Sequence, residues 1–417
     1  MSANFWQGLL LGGLLFATSA TAVAAQEREL LSLDDALRRA NVSTDPGTTV
    51  SNPRITGPRA EADAAQALVG QARLRPNPEV SFEVENLAGS GAFSGLRATE
   101  YTLAVGQRLE LGNKRAARMR AAQADATVAG LRAQLADAEL GFLVRERYLA
   151  AASAASRVVL ARDVVERNEE LARIAGLLVE VGREPPLRAL RAEAALAEAR
   201  AELEAAQAAS LAARTALAAL WGEQGAPPAV PADFPEINPP GRLMVSADGL
   251  AVQVARAESL AASAEIARER SLGVPDPVVS AGVRRFAESN DNAFLVGVSI
   301  PLPFRNRNQG NIAAAEARLR AANAREAVAL ADFQQAVTRA RTQYLAAEAR
   351  VETLSETSLP QAEEALRLVR IGYRNGRFPL IEVLSAAEAR DAIREALIAA
   401  QEERGEAAAE LIRLDAQ

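Results

Sequence analysis

Apolar positions along the chain recur with two different periods, and each period appears twice. In residues 79–85, Val80, Phe82 and Val84 fall on one face and Ser81, Glu83 and Glu85 on the other, which is the alternation of a strand. Residues 101–109 alternate likewise, with Tyr101, Leu103, Val105 and Leu109 set against Thr102, Ala104, Gly106 and Arg108. A second pair, 277–286 and 294–300, is separated by the polar stretch Glu288-Ser289-Asn290-Asp291-Asn292. Each pair predicts one β-hairpin, with a face suited to lipid and a face suited to water.

After each hairpin the period lengthens to that of a helix. From 113 to 181 only Gly130, Gly141 and Gly176 interrupt strong helix formers. A helix of ~70 residues spans ~100 Å, far more than a bilayer. The second copy runs from 311 to about 373. There Leu330, Phe333, Val337, Ala340, Tyr344, Ala347, Val351 and Leu354 recur at alternating steps of three and four, a coiled-coil seam. Pro360 predicts a kink or a change of packing partner. Return helices are expected from about Leu187 and Leu380 to near Trp221 and Leu414, with further helix over 33–73 and 246–272. Ser32 with Asp35 reads as a capping box in which Asp replaces the usual Glu.

The two halves are copies. Pro76-Asn77-Pro78 answers to Pro275-Asp276-Pro277, Tyr148-Leu149-Ala150-Ala151 to Tyr344-Leu345-Ala346-Ala347, and Gly182-Arg183 to Gly376-Arg377. The expected organisation is a signal peptide at 1–25, a first repeat at 26–222, a Pro-rich connector at 223–244 and a second repeat at 245–417. A flexible linker between independent domains is the alternative for the connector. Residues 1–25 carry no charged side chain, and the apolar block at 9–16 is followed by small residues ending Ala22-Val23-Ala24-Ala25. That resembles a secretory signal without the usual basic start. No other uncharged apolar run reaches the ~18 residues a spanning helix needs. If the protein crosses a membrane, it does so with strands.

Four strands cannot close a barrel, and an open edge in hydrocarbon leaves backbone groups unpaired. Other copies of the chain must complete the sheet, unless it is a four-stranded sheet of a soluble domain.

Composition narrows the chemistry. The apolar content of 49% is mostly alanine and leucine, with only 4% aromatic, the profile of long, closely packed helices. There is no histidine and no cysteine, so disulfides, zinc sites, Cys or His nucleophiles and a lipid anchor on an N-terminal cysteine are excluded. The net charge of −6 is dispersed, which gives no footprint for nucleic acid. No phosphate-binding Gly-x-x-x-x-Gly-Lys-Ser/Thr loop is present. No enzyme activity and no cofactor are expected, and adjacent carboxylates such as Glu363 and Glu364 read as a solvated helix face. Met119 and Met244 are the only methionines beyond the signal, so the chain lacks soft ligands that would select a metal.

Five stretches carry a family resemblance. They are Leu31-Ser32-Leu33-Asp34-Asp35-Ala36-Leu37, Pro76-Asn77-Pro78-Glu79-Val80, Leu109-Glu110-Leu111-Gly112-Asn113-Lys114-Arg115, Pro301-Leu302-Pro303-Phe304 with Arg307-Asn308-Gln309-Gly310, and Gly372-Tyr373-Arg374-Asn375-Gly376. In this order and spacing the chain resembles the TolC-type outer-membrane efflux ducts, and within them the CzcC-like branch serving heavy-metal exporters of the resistance-nodulation-division class. The resemblance implies a mainly α fold with a membrane β-barrel: a homotrimer whose four strands per chain close twelve strands above a periplasmic helical tunnel.

It also implies partners and working residues. The partners are a periplasmic membrane-fusion adaptor, an inner-membrane pump and outer-membrane lipid. The adaptor would dock at the helical turns, here Gly182 and Arg183 in the first repeat and Gly376 and Arg377 in the second. Tyr373 and Glu382 match the constriction of the closed end, with Ser385 where some relatives carry a second carboxylate. Glu83 and Glu85 are candidate lumenal carboxylates of the barrel. The expected cargo is divalent metal cations. A duct for drugs or organic solutes, and a coiled-coil envelope protein without transport, are the alternatives.

Overall fold

The computed structural model describes residues 30–40, 52–87, 89–223, 225–241, 248–375 and 377–416. The expected signal peptide and part of the connector lie outside these residues.

The helices are α1 Leu33–Arg39, α2 Pro53–Ala72, α3 Lys114–Glu180, α4 Pro186–Ala218, α5 Leu250–Leu272, α6 Gln309–Glu352, α7 Leu359–Arg374 and α8 Leu380–Asp415. The strands are β1 Glu79–Glu85, β2 Glu100–Arg108, β3 Val278–Phe286 and β4 Asn292–Ser299. All four form one antiparallel sheet in the order β1-β2-β3-β4. The hairpins and the two long helical runs stand where the periodicity placed them. The stretch 33–73 does not form one helix. It ends as α1 and restarts as α2, because Pro53 has no amide to continue a ladder and Asn52 caps a new N-terminus by accepting from the Arg54 amide at 3.0 Å. The Ser32 cap is present: its Oγ accepts from the Asp35 amide at 3.1 Å and donates to the Asp35 carboxylate at 2.6 Å.

The helices make a layer four columns wide. α3 is flanked on one side by α2 and α4, and on the other by α5 and α8, which in turn pack on α6. α2 and α4 meet end to end, where Asn52 Nδ2 donates to the Leu220 carbonyl at 2.8 Å. α5 and α8 meet in the same way, with Val252 of α5 clustered beside Leu411 and Leu414 of α8. α6 continues into α7 through a π-helical stretch, Thr353–Ser358. The wider turn sits directly before Pro360, whose ring would otherwise crowd the carbonyl four residues back.

The junctions are filled by two related clusters. In the first, Leu140, Val144 and Tyr148 of α3 pack with Leu31, Ala36, Ile55, Leu217, Leu220 and Val230, so α1, α2, α4 and the connector converge on the middle of the longest helix. The second gathers Phe333 and Ala340 of α6 with Val252, Leu411 and Leu414, flanked by Leu330, Val337 and Tyr344. The predicted seam is therefore real, with Phe333, Ala340, Ala347 and Val351 deepest.

Strand and helix are joined rigidly. Lys114, at the start of α3, is buried and binds Asp276 at 2.6 Å and the Val274 carbonyl at 2.5 Å. It is the only lysine in the chain, all other basic side chains being arginine. A compact ammonium fits this enclosed site better than a planar guanidinium.

Tyr148 is 2% exposed, and its hydroxyl donates to the Leu31 carbonyl at 2.8 Å. Burial, with Asp35 and Asp34 nearby, pushes its pKa up to about 12, so it stays a donor. Tyr148→Phe leaves that carbonyl without its partner, which should cost about 1–3 kcal/mol and appear as a lower Tm in thermal unfolding.

Candidate functional site

The α3–α4 turn is a Schellman cap. Gly182 has φ +70°, its amide donates to Val179 O at 3.0 Å, and the Arg183 amide donates to Leu178 O at 2.9 Å. A side chain there would meet open space but a strained backbone. Pro185 caps and Pro186 opens α4, with φ already set for a helix. The α7–α8 turn repeats the device: the Arg377 amide donates to Gly372 O at 2.8 Å, and Pro379 caps α8. Gly376 itself lies outside the described residues. Among the described residues the side chains of Arg183 and Arg377 have no hydrogen-bond or ion-pair partner. Around them Val181, Leu187, Leu190, Phe378 and Ile381 are exposed, an apolar and cationic tip.

An antiparallel ladder brings the two turns to one end. Ser153 donates to Glu402, Arg157 pairs with Glu395, Arg394 with Asp163, and Arg167 with Asp391, so the end of α3 lies level with the start of α8. At this end Tyr373 closes α7, half-buried against Leu366, Val383 and Ala387. Glu382 is exposed in the first turn of α8, where the helix dipole favours its negative charge. Tyr373 and Glu382 thus flank one turn, at the same end as Arg183 and Arg377.

Two features of this end escaped sequence reasoning. A Cβ on Gly372 would come 2.1 Å from the Phe378 ring, so the glycine makes room for the aromatic that folds the turn back onto α7. Asp391 is held by Arg167 at 2.5 Å and Arg390 at 2.6 Å, and burial, followed by repulsion from Arg390, Arg167 and Arg374, lowers the pKa of Arg370. This surplus of guanidinium groups is assembled from α3, α7 and α8, and no single segment of sequence signals it.

The strand face opposite the apolar one is also more connected than alternation implies. Glu83 is level with Thr102, Arg284 and Ala293 across the sheet. Arg284 binds Glu85 at 2.7 Å, Glu100 at 2.8 Å and the Thr102 hydroxyl at 3.0 Å. Glu85 is therefore a paired carboxylate. Behind this cluster the face carries the small residues Ala104, Gly106, Ser280, Gly282 and Gly297, with Leu295 beside Gly282.

A cleft of about 860 Å³ is an open groove over α8 between α3 and α6, lined by Glu139, Phe142, Arg350, Glu406 and Arg413 among others. Among the described residues no three or more acidic, His or Cys groups are placed to hold a metal ion, and no helix is long and apolar enough to cross a membrane.

These features define a class: an elongated helical layer joined end-on to a small sheet with one apolar face, the build of outer-membrane channel subunits. The chain matches the outer membrane efflux protein family over residues 48–223 and 247–417, and it belongs to that family. It is 32% identical over 354 residues to the cobalt-zinc-cadmium resistance protein CzcC of Cupriavidus metallidurans, covering 81% of this chain and 80% of the relative. It is likewise 32% identical to the nickel-cobalt-cadmium resistance protein NccC of Alcaligenes xylosoxydans xylosoxydans, covering 66% of this chain and 63% of that protein. The fold is that of the outer membrane protein VceC of Vibrio cholerae, with TM-score 0.74 at 20% identity over 92% of this chain and 96% of the other. The protein is thus an outer-membrane efflux component of TolC-like fold.

Glu406, inside the groove, has its pKa raised by burial and then by Glu402, Glu146 and Glu403. Such a group penalises folding once the pH exceeds the ordinary carboxylate range, because the unfolded chain ionises it freely. Glu406→Gln should therefore raise the Tm near neutral pH. The difference should shrink as pH falls through the usual glutamate pKa, measured by circular dichroism across a pH series.

Proposed function

We propose that three copies of this chain close into one conduit, the outer-membrane duct of a tripartite pump, adaptor and duct system that exports divalent metal cations. The observation that carries this reading is a coincidence of edges. The sheet ends in β1 and β4, the helical layer ends in α2/α4 and α6/α7, and both run in the same order across the chain. The edge columns still expose Leu68, Leu211, Val328, Leu345 and Leu368. A strip with two different open edges assembles head to tail, and a constant turn closes it into a ring. Three strips supply twelve strands, within the range of membrane barrels, with Val80, Phe82, Leu103, Phe294 and Val296 turned to lipid.

The cargo is argued from the relatives, whose names join cobalt, zinc, cadmium and nickel to resistance, and from the conduit's acids. Three copies of Glu382 around an axis would favour cations electrostatically, as would Glu83. The chain has no histidine or cysteine to choose among metals, so the choice belongs to a resistance-nodulation-division pump in the inner membrane. A periplasmic adaptor would engage the tip formed by Gly182, Arg183, Gly376 and Arg377.

A strain lacking the protein should become sensitive to one or two of zinc, cobalt, cadmium, nickel and copper, with raised cell-associated metal. Sensitivity to organic drugs alone would move the reading to a general efflux duct. Replacing Gly182 and Gly376 together by valine should leave trimers in the membrane while abolishing export. Full export by that variant would remove the tip from the docking surface.

A further inference from the structure

The apolar alternation of β4 does not stop where the strand stops. Phe294, Val296 and Val298 are exposed on its outer face, and beyond Ser299 the same two-residue step continues through Ile300, Leu302 and Phe304, all exposed. Pro301 and Pro303 lack the amides that would extend the ladder to another strand. The stretch is nevertheless held in place. The Phe304 amide donates to Leu302 O at 3.0 Å, the Arg307 amide to Gln309 Oε1 at 2.8 Å, and Asn308 Nδ2 to Glu269 O at 2.7 Å. Phe304 thus stands 79% exposed on a pinned backbone. Arg305 follows, exposed and without a side-chain partner among the described residues, and Arg307 commits only its Nε, to Pro303 O at 3.3 Å.

We infer that residues 302–307 form an anchor for phospholipid head groups of the periplasm-facing leaflet: Phe304 sits at the boundary between acyl chains and head groups, and Arg305 and Arg307 bind phosphate. This rests on the reading of the sheet as part of a lipid-facing barrel. The segment leads from β4 into α6, so it lies at the helical end of the sheet, where the barrel meets the periplasm. An aromatic ring beside arginines on the rim of an apolar band suits that boundary, where rings sit at head-group level and cations meet phosphate. A second copy of the chain is the poorer occupant: the stretch entering β1, at the other sheet edge, carries Arg73 and Arg75, of the same charge as Arg305 and Arg307.

Tryptophan variants in vesicles of phosphatidylethanolamine and phosphatidylglycerol test this. With lipids brominated near the ester end of the acyl chains, Phe304→Trp should lose emission, while Phe294→Trp, on the sheet, should respond to bromines deeper in the chain. The unsubstituted protein supplies the baseline. Quenching of Phe294→Trp without quenching of Phe304→Trp would overturn the anchor and leave the barrel standing; quenching of neither would overturn both. In native mass spectrometry, Arg305→Glu with Arg307→Glu should lose co-purified phospholipid and keep the assembly of copies. Dissociation into single chains would show that the segment is a protein seam and overturn the proposal.

Discussion

A backbone amide or carbonyl in hydrocarbon has no water to turn to, and the rest of this architecture follows from that constraint. Edge strands β1 and β4 cannot stay unpaired in a bilayer, and a sheet of four strands cannot curl far enough for those two edges to meet. The chain meets the requirement by carrying the same left-to-right order in its helices as in its sheet. In the proposed ring, one closing operation would serve barrel and tunnel at once. Duplication is the economical origin of such a strip, since each hairpin arrives with its own long helix and its own return helix.

Between those layers the molecule depends on its waist. α3 is 67 residues long and carries no strong apolar stripe along its length. Its mid-section is secured where Tyr148, Val144 and Leu140 meet four other elements, and the junction of α2 with α4 falls at that same level. Away from the waist, contact passes mainly through alanine. At the α3–α8 interface Leu149 lies against Gly405, with Ala407, Ala408 and Ala409 buried nearby on α8, and ion pairs set the register. Close-packed alanine layers gain less per residue than leucine layers but keep a helical wall thin. In the proposed conduit a thin wall would leave room for a lumen.

Much of this was legible in the sequence because it is periodic. Strand alternation located all four strands to within about two residues, and the three-four step found the α6 seam, since burial on one face is what creates such patterns. The two Gly-Arg turns were visible because a Schellman cap needs a residue that tolerates positive φ. What periodicity could not show were contacts between distant segments. The Arg284 cluster links three strands, the Asp391 group links three helices, and Lys114 reaches Asp276 across 162 positions. The break between α1 and α2 was missed for a different reason. The apolar spacing on either side is compatible with one helix, and only the capping chemistry of Asn52 and Pro53 divides it.

The basic side chains carry a further consequence. With no histidine, no cysteine and a single lysine locked against Asp276, the charged surface consists of arginines and carboxylates. Arginines stay protonated up to about pH 12, and ordinary carboxylates are ionised above roughly pH 5.5. Between roughly pH 5.5 and 9, where histidine and cysteine side chains would change charge, this chain has neither, and desolvation raises the pKa values of Glu406, Glu265 and Asp125. The charged surface is therefore nearly constant from mildly acidic to mildly alkaline surroundings. For a protein in the outer membrane, exposed to whatever pH the medium imposes, the charge it presents stays nearly the same across that range.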